Sequence, residues 1–196
     1  MKNKILILII FFCAFEISTA QSKQINEGVY KFEINKKYEL VEKENNELHF
    51  THFDQAGKLK ILQKIRILES GINPKKNNIK EISDFANLET ISFGSDEFYK
   101  KEDEVAGMTR IKNFDVFYFQ KRTRKFKNSE LTALQEYTYT TQYYFFFNKK
   151  IYQLVYTSDL MTSVMKEYDE YEVDKKMKKV NNLGDINLIL ETLKTE

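Results

Sequence analysis

The stretch Thr140-Thr141-Gln142-Tyr143-Tyr144-Phe145-Phe146-Phe147-Asn148-Lys149-Lys150-Ile151-Tyr152-Gln153-Leu154-Val155-Tyr156-Thr157-Ser158 joins two aromatic, apolar runs through a short polar triplet. Aromatic and β-branched residues fit a pleated surface, and a tight polar joint between two such runs marks an antiparallel hairpin. Side chains alternate across a strand, so parity sorts the first run. Tyr137, Tyr139, Tyr143, Phe145 and Phe147 share one face, the expected core. Thr138, Thr140, Gln142, Tyr144 and Phe146 share the other. Tyr144 and Phe146 therefore form a second apolar face that needs cover from a helix or a ligand.

Towards the N-terminus the pattern stays β-like. Val29 to Ile34 predicts a first strand, and Tyr38–Glu42 with Leu48–Phe53 predicts a hairpin around Asn45-Asn46. Leu59, Ile61, Ile65 and Ile67 alternate with Lys58, Lys60, Lys64 and Arg66, the period-2 signature of a half-buried strand. Leu62 departs from it and leaves a helix open there. A loop at Gly71–Asn78 follows. Ile79, Ile82, Phe85 and Ala86 recur at helical spacing, Ser95-Asp96-Glu97 suits the start of another helix, and Ile111–Gln120 predicts a further strand.

Beyond the hairpin, Ser158-Asp159 predicts a helix start, with Met161, Val164, Met165 and Tyr168 on one face. Asp185 opens a last helix with Ile186, Ile189, Leu190 and Leu193 at i, i+3, i+4 and i+7. These elements predict an α+β fold, a largely antiparallel sheet with helices packed on it, in a single domain over residues 21–196.

An aromatic strand, a polar turn and a Tyr-x-Leu-x-Tyr return strand ahead of a helix resemble the latter half of the PsbP/Mog1-like domains. The resemblance is one of topology and covers about the last two-thirds of the chain. It implies an α-β-α sandwich and, for bacterial envelope members, binding or assembly roles without catalytic residues. No diagnostic residue carries over from it.

Residues 1–20 have the three regions of a secretory signal peptide: Lys2 and Lys4, an apolar run from Ile5 to Phe15, and Ser18 and Ala20 before a cleavage point at Gln21. The apolar run is short for a spanning helix, which needs roughly 20 residues. Cleavage leaves no transmembrane segment and removes Cys13, the one cysteine, so thiol chemistry and disulfides are excluded from the mature chain. Phe12 stands where lipidation of Cys13 would want a small residue. The abundance of Lys, Asn and Ile reads as a bacterial secretory protein. Removing Lys2, Lys4 and Glu16 leaves 29 basic and 28 acidic residues, a balance that argues against a dedicated nucleic-acid binder.

Few clusters suggest chemistry. His49 and His52, beside Asp54, invite a metal, but on a strand they point to opposite faces. Glu102-Asp103-Glu104 and Asp169–Asp174 are interleaved with lysines as solvated faces are. Neither a nucleophile elbow nor a phosphate-binding glycine loop occurs. The remaining cluster is basic: Lys121, Arg122, Arg124, Lys125 and Lys127 occupy five of seven positions and suit a salt-dependent acidic partner, the alternative being a solvated strand end. The sequence thus predicts an exported, non-catalytic binding or assembly protein of the bacterial envelope, secreted or periplasmic. Its partner is a protein or an envelope component, with no nucleic acid, cofactor or metal. Two alternatives stay open: a carrier of a small apolar ligand on the Tyr144/Phe146 face, and a hydrolase without a recognisable motif.

Overall fold

The computed structural model describes residues 21–44, 47–56, 59–93, 104–126, 134–160, 173, 175 and 183–194. Nine strands and two helices are described. In chain order the strands are β1 Ser22–Glu27, β2 Tyr30–Asn35, β3 Glu39–Glu44, β4 Glu47–Ala56, β5 Leu59–Glu69, β6 Glu104–Ile111, β7 Phe114–Phe126, β8 Leu134–Phe147 and β9 Lys150–Leu160. Helix α1 (Ile82–Phe93) lies between β5 and β6, and α2 (Gly184–Thr192) follows β9. β1 and β2 form a two-stranded sheet; the other seven form a sheet in the order β3-β4-β5-β9-β8-β7-β6. Every pairing is antiparallel.

The β8–β9 hairpin sets the register of the centre. Phe147 pairs with Lys150, and the two loop residues Asn148 and Lys149 both have positive φ, +48° and +63°. That handedness matches the right-handed twist of the flanking strands. The register then puts Tyr143, Phe145 and Phe147 beside Tyr152, Leu154 and Tyr156 on one face, all buried. The β1–β2 hairpin, turned by Gly28 at φ +57°, lays Tyr30, Phe32 and Ile34 over this face. Phe32 meets Phe50 edge-on at 6.1 Å, and Tyr30 meets Tyr152 at 5.9 Å. Helix α2 completes the layer with Ile186, Ile189 and Leu190, the positions its spacing singles out. On the opposite face α1 packs Ile82, Phe85 and Ala86 against Phe117, Tyr144 and Ile151.

The expected α+β class is overturned. Among the described residues strand takes 65% and helix 14%, in two stacked antiparallel sheets, so the fold is mostly β and nearer a sandwich. The described strands are long, 14 residues in β8 and 13 in β7, and β9 takes in Ser158-Asp159, expected to open a helix. β9 runs on through both residues to Leu160, paired by β5 on one side and by β8 as far as Asp159 on the other. The oxygens that suit a helix cap are used within the sheet instead. Ser158 Oγ donates to the Tyr156 hydroxyl at 3.0 Å, and Asp159 accepts from Lys64 Nζ at 2.8 Å and Thr138 Oγ1 at 3.0 Å. Met161, Val164, Met165 and Tyr168, and the helix expected at Ser95, lie outside the described residues, as does the candidate signal segment 1–20.

Smaller differences have local causes. The segment expected as one strand over Ile111–Gln120 is cut by a turn at Lys112 (φ +52°), which folds β6 back against β7. Strand β1 is too polar to declare itself; of its residues Ile25 is the one packed on the core. β5 is a strand throughout, with Leu62 among its outward residues and Gln63 buried in the inner row.

This layering predicts a contrast. Phe145→Ala, at the centre of the inner face, should cost about 3–5 kcal/mol in chemical denaturation, whereas Phe53→Ala, exposed on β4, should cost less than about 0.5 kcal/mol. Equal losses would contradict the assignment of faces.

Candidate functional site

The basic run is divided by the strand that carries it. Lys121 and Arg122 lie in β7 opposite Thr140 and Tyr139 of β8, and alternation sends their side chains to opposite faces. Lys121 Nζ is held 3.1 Å from Glu104 Oε1, its register partner on β6. Arg124 and Lys125 continue β7 opposite Tyr137 and Glu136, and Lys127 lies outside the described residues. The run is therefore the end of a strand one place in from the β6 edge, not a patch on one face.

Tyr144 and Phe146 do form a second face, and α1 supplies its cover. The Phe85 ring lies 4.7 Å from that of Tyr144 and 5.9 Å from that of Phe117. The Tyr144 hydroxyl donates to Gln142 Oε1 at 2.7 Å and accepts from Gln153 Nε2 at 2.8 Å. Gln153 Nε2 also reaches Gln142 Oε1 at 3.1 Å, so these three side chains bond to one another. Phe146 is half-buried at the margin of this cluster. It borders a depression of about 360 Å³ whose other lining includes Lys80, Glu81, Asn113 and Asp115.

The histidines face apart, as strand alternation requires. His49 Nε2 lies 2.7 Å from Glu47 Oε1 and its Nδ1 3.4 Å from Glu42 Oε2, and Arg66 also donates to Glu47. These contacts, the Arg66 guanidinium first among them, hold the Glu47 carboxyl below its ordinary range against the opposing effect of burial. His52 instead sets its ring 5.8 Å from that of Tyr38. Among the described residues no group of three His, Cys, Asp or Glu side chains is placed to hold a metal ion.

Sequence reading missed a polar network in the core, because its members come from five separate elements or connections. Asp185, at the start of α2, accepts from Tyr38 OH at 3.2 Å and Asn35 Nδ2 at 3.3 Å, and pairs with Lys37 Nζ at 2.7 Å. Close by, Tyr156 OH accepts from Gln63 Nε2 at 2.7 Å and Ser158 Oγ at 3.0 Å. The one signal available was Tyr38, a large polar-tipped residue just after two lysines. Burial, the largest cause throughout, pushes the pKa of Tyr30 and Tyr38 far above the usual tyrosine value and that of Tyr143 and Tyr156 up to about 12. That direction keeps the hydroxyls protonated and hydrogen-bonding, the opposite of an activated nucleophile.

The edges of the seven-stranded sheet carry exposed apolar side chains. β3 is exposed along all six residues, and β6 exposes Val105 and Met108. Residues 104–126, spanning β6 and β7, carry six Lys and Arg against two carboxylates. Compared with family models and with curated proteins, the chain matches none.

The buried tyrosines fix a pH dependence. Each keeps its proton in the folded chain at a pH where the unfolded chain, with a value of 10.0, has lost it. Their contribution is complete below pH 10 and declines as pH rises towards 12, by about 1 kcal/mol per pH unit per tyrosine. Denaturation followed from neutral pH upward should show stability falling above pH 10, with the buried tyrosinates absorbing only as the chain unfolds.

Proposed function

We propose that the protein is an exported, non-catalytic binding or assembly protein of the bacterial envelope, and that it engages its partner along the β6–β7 edge. The observation that carries this reading is the exposed strand β6 lying against a strand rich in cations. An edge strand offers a row of unpaired backbone groups to an added strand, and flanking cations favour one that is acidic. Tyrosines raised rather than lowered, and histidines facing apart, favour binding over hydrolysis. The carrier alternative draws less support, since α1 already lies on Tyr144 and the depression beside Phe146 has a polar rim. The PsbP/Mog1-like resemblance implies the same class of role. Residues 1–20 supply the reading of export, and the exported form is expected to begin at Gln21, which its intact mass checks.

A fluorescent peptide of alternating Glu and Val tests the edge. Its anisotropy should rise on binding, fall with added salt, and weaken about two- to fivefold for each of Arg110→Glu and Arg124→Glu. Binding that ignores both salt and these reversals would sink the proposal.

A further inference from the structure

Among the described residues the large exposed apolar side chains fall in two places. They are Leu40, Val41 (57% exposed) and Phe53 (66%) on β3 and β4, and Val105 (53%) and Met108 on β6. Those are the two ends of a single seven-stranded sheet. Apolar groups left in water at sheet edges mark candidate contact surfaces.

Charge distinguishes the two ends. From Glu39 to Ala56 there are five carboxylates and one lysine, an excess of four negative charges. Lys43, that lysine, is already paired with Glu27 of β1. From Glu104 to Phe126 the six cations and two carboxylates give an excess of four positive charges. Within the acidic end, Glu44 stands directly opposite Glu47 in the register, and Arg66 of β5 is bonded to Glu47. The two ends are opposite in sign, equal in magnitude and close in length: β3 offers six residues and β6 eight.

From this complementarity we infer that the partner of the β6 edge is the β3 edge of a second copy of this chain, so that sheets join head to tail. The inference rests on the binding role proposed above for β6. The register shift between Leu40 and Glu42 leaves Val41 as a bulge in β3. Bulges and charged side chains discourage indiscriminate strand pairing. The acidic edge is thereby closed to neutral or acidic strands and selective for one flanked by cations. Because the two surfaces differ, the contact is heterologous and propagates into rings or open chains rather than stopping at a two-fold dimer.

Sedimentation velocity on the mature chain at low salt should show species larger than a monomer that grow with concentration, their association weakening at least about tenfold as salt screens the edges. Glu39→Lys/Glu44→Lys takes strand β3 from a charge of −2 to +2, and Val105→Glu/Arg110→Glu takes strand β6 from 0 to −3. All four positions are exposed, and circular dichroism verifies that each variant folds. Either variant alone should stay monomeric, and an equimolar mixture should associate again through alternating copies. A wild-type chain that remains monomeric at low salt, variants that associate as it does, or a mixture that stays monomeric would each overturn the inference. If the wild type is monomeric yet the Glu/Val peptide binds, β6 receives a foreign strand and the binding proposal stands without self-assembly. If the peptide also fails to bind, both are lost.

Discussion

Strands β8 and β9 carry large side chains on both faces, and the rest of the molecule is arranged around covering them. Phe145 and Phe147 point one way and Tyr144 and Phe146 the other, so neither side of the central hairpin can be left to water. At roughly 25 cal/mol per Å² of apolar surface, each exposed ring would forfeit a few kcal/mol. The β1–β2 hairpin and α2 meet this demand on one side, and α1 meets it on the other. Paired aromatic rings within the sheet add to this burial, such as Phe145 with Tyr152 and Phe114 with Phe145.

Building a core from Phe and Tyr brings polar tips inside, and those tips dictate the connections. Tyr38 is wholly buried, so its hydroxyl needs an acceptor, and Asp185 provides one from the first turn of α2. Lys37 and Asn35 satisfy the same carboxylate, which ties the link between β2 and β3 to the last helix. Gln63 interrupts an otherwise apolar row on β5 for a similar reason: its amide donates to Tyr156, and Ser158 donates to the same oxygen. Leaving any of these groups unpaired would cost about 1–3 kcal/mol, comparable to losing a buried methyl or two. The network therefore holds the layers in register, which a purely apolar interface would do less specifically.

What the sequence disclosed, and what it hid, follows from how locally each element is determined. Ile82, Phe85 and Ala86, and Ile186, Ile189 and Leu190, show helical spacing because each short helix buries one stripe against a flat sheet. His49 and His52 separate to opposite faces because strand parity is a local rule. Ser158-Asp159 misleads because the same oxygens serve a helix cap or a cross-strand partner equally well. The choice was made by Lys64 and Thr138, distant in sequence. The basic run was legible as composition, but its division between faces required knowing that β7 extends through it.

The near-neutral total charge conceals the feature with the most consequence. Averaged over the chain, 31 basic and 29 acidic residues suggest a surface without electrostatic preference. Resolved along the strand order, opposite charges gather at the two ends of the sheet, acidic at β3–β4 and basic at β6–β7, with mixed pairs such as Lys64–Asp159 between. Such a separation orients an approaching molecule within a Debye length of about 10 Å, where a uniform surface would not. It also accounts for two edge strands with exposed apolar side chains on one sheet. Like edges repel, so each is protected from its own kind, and contact is favoured only between unlike ends. The apolar residues at the edges contribute area once contact is made, and the charges decide which contact that is.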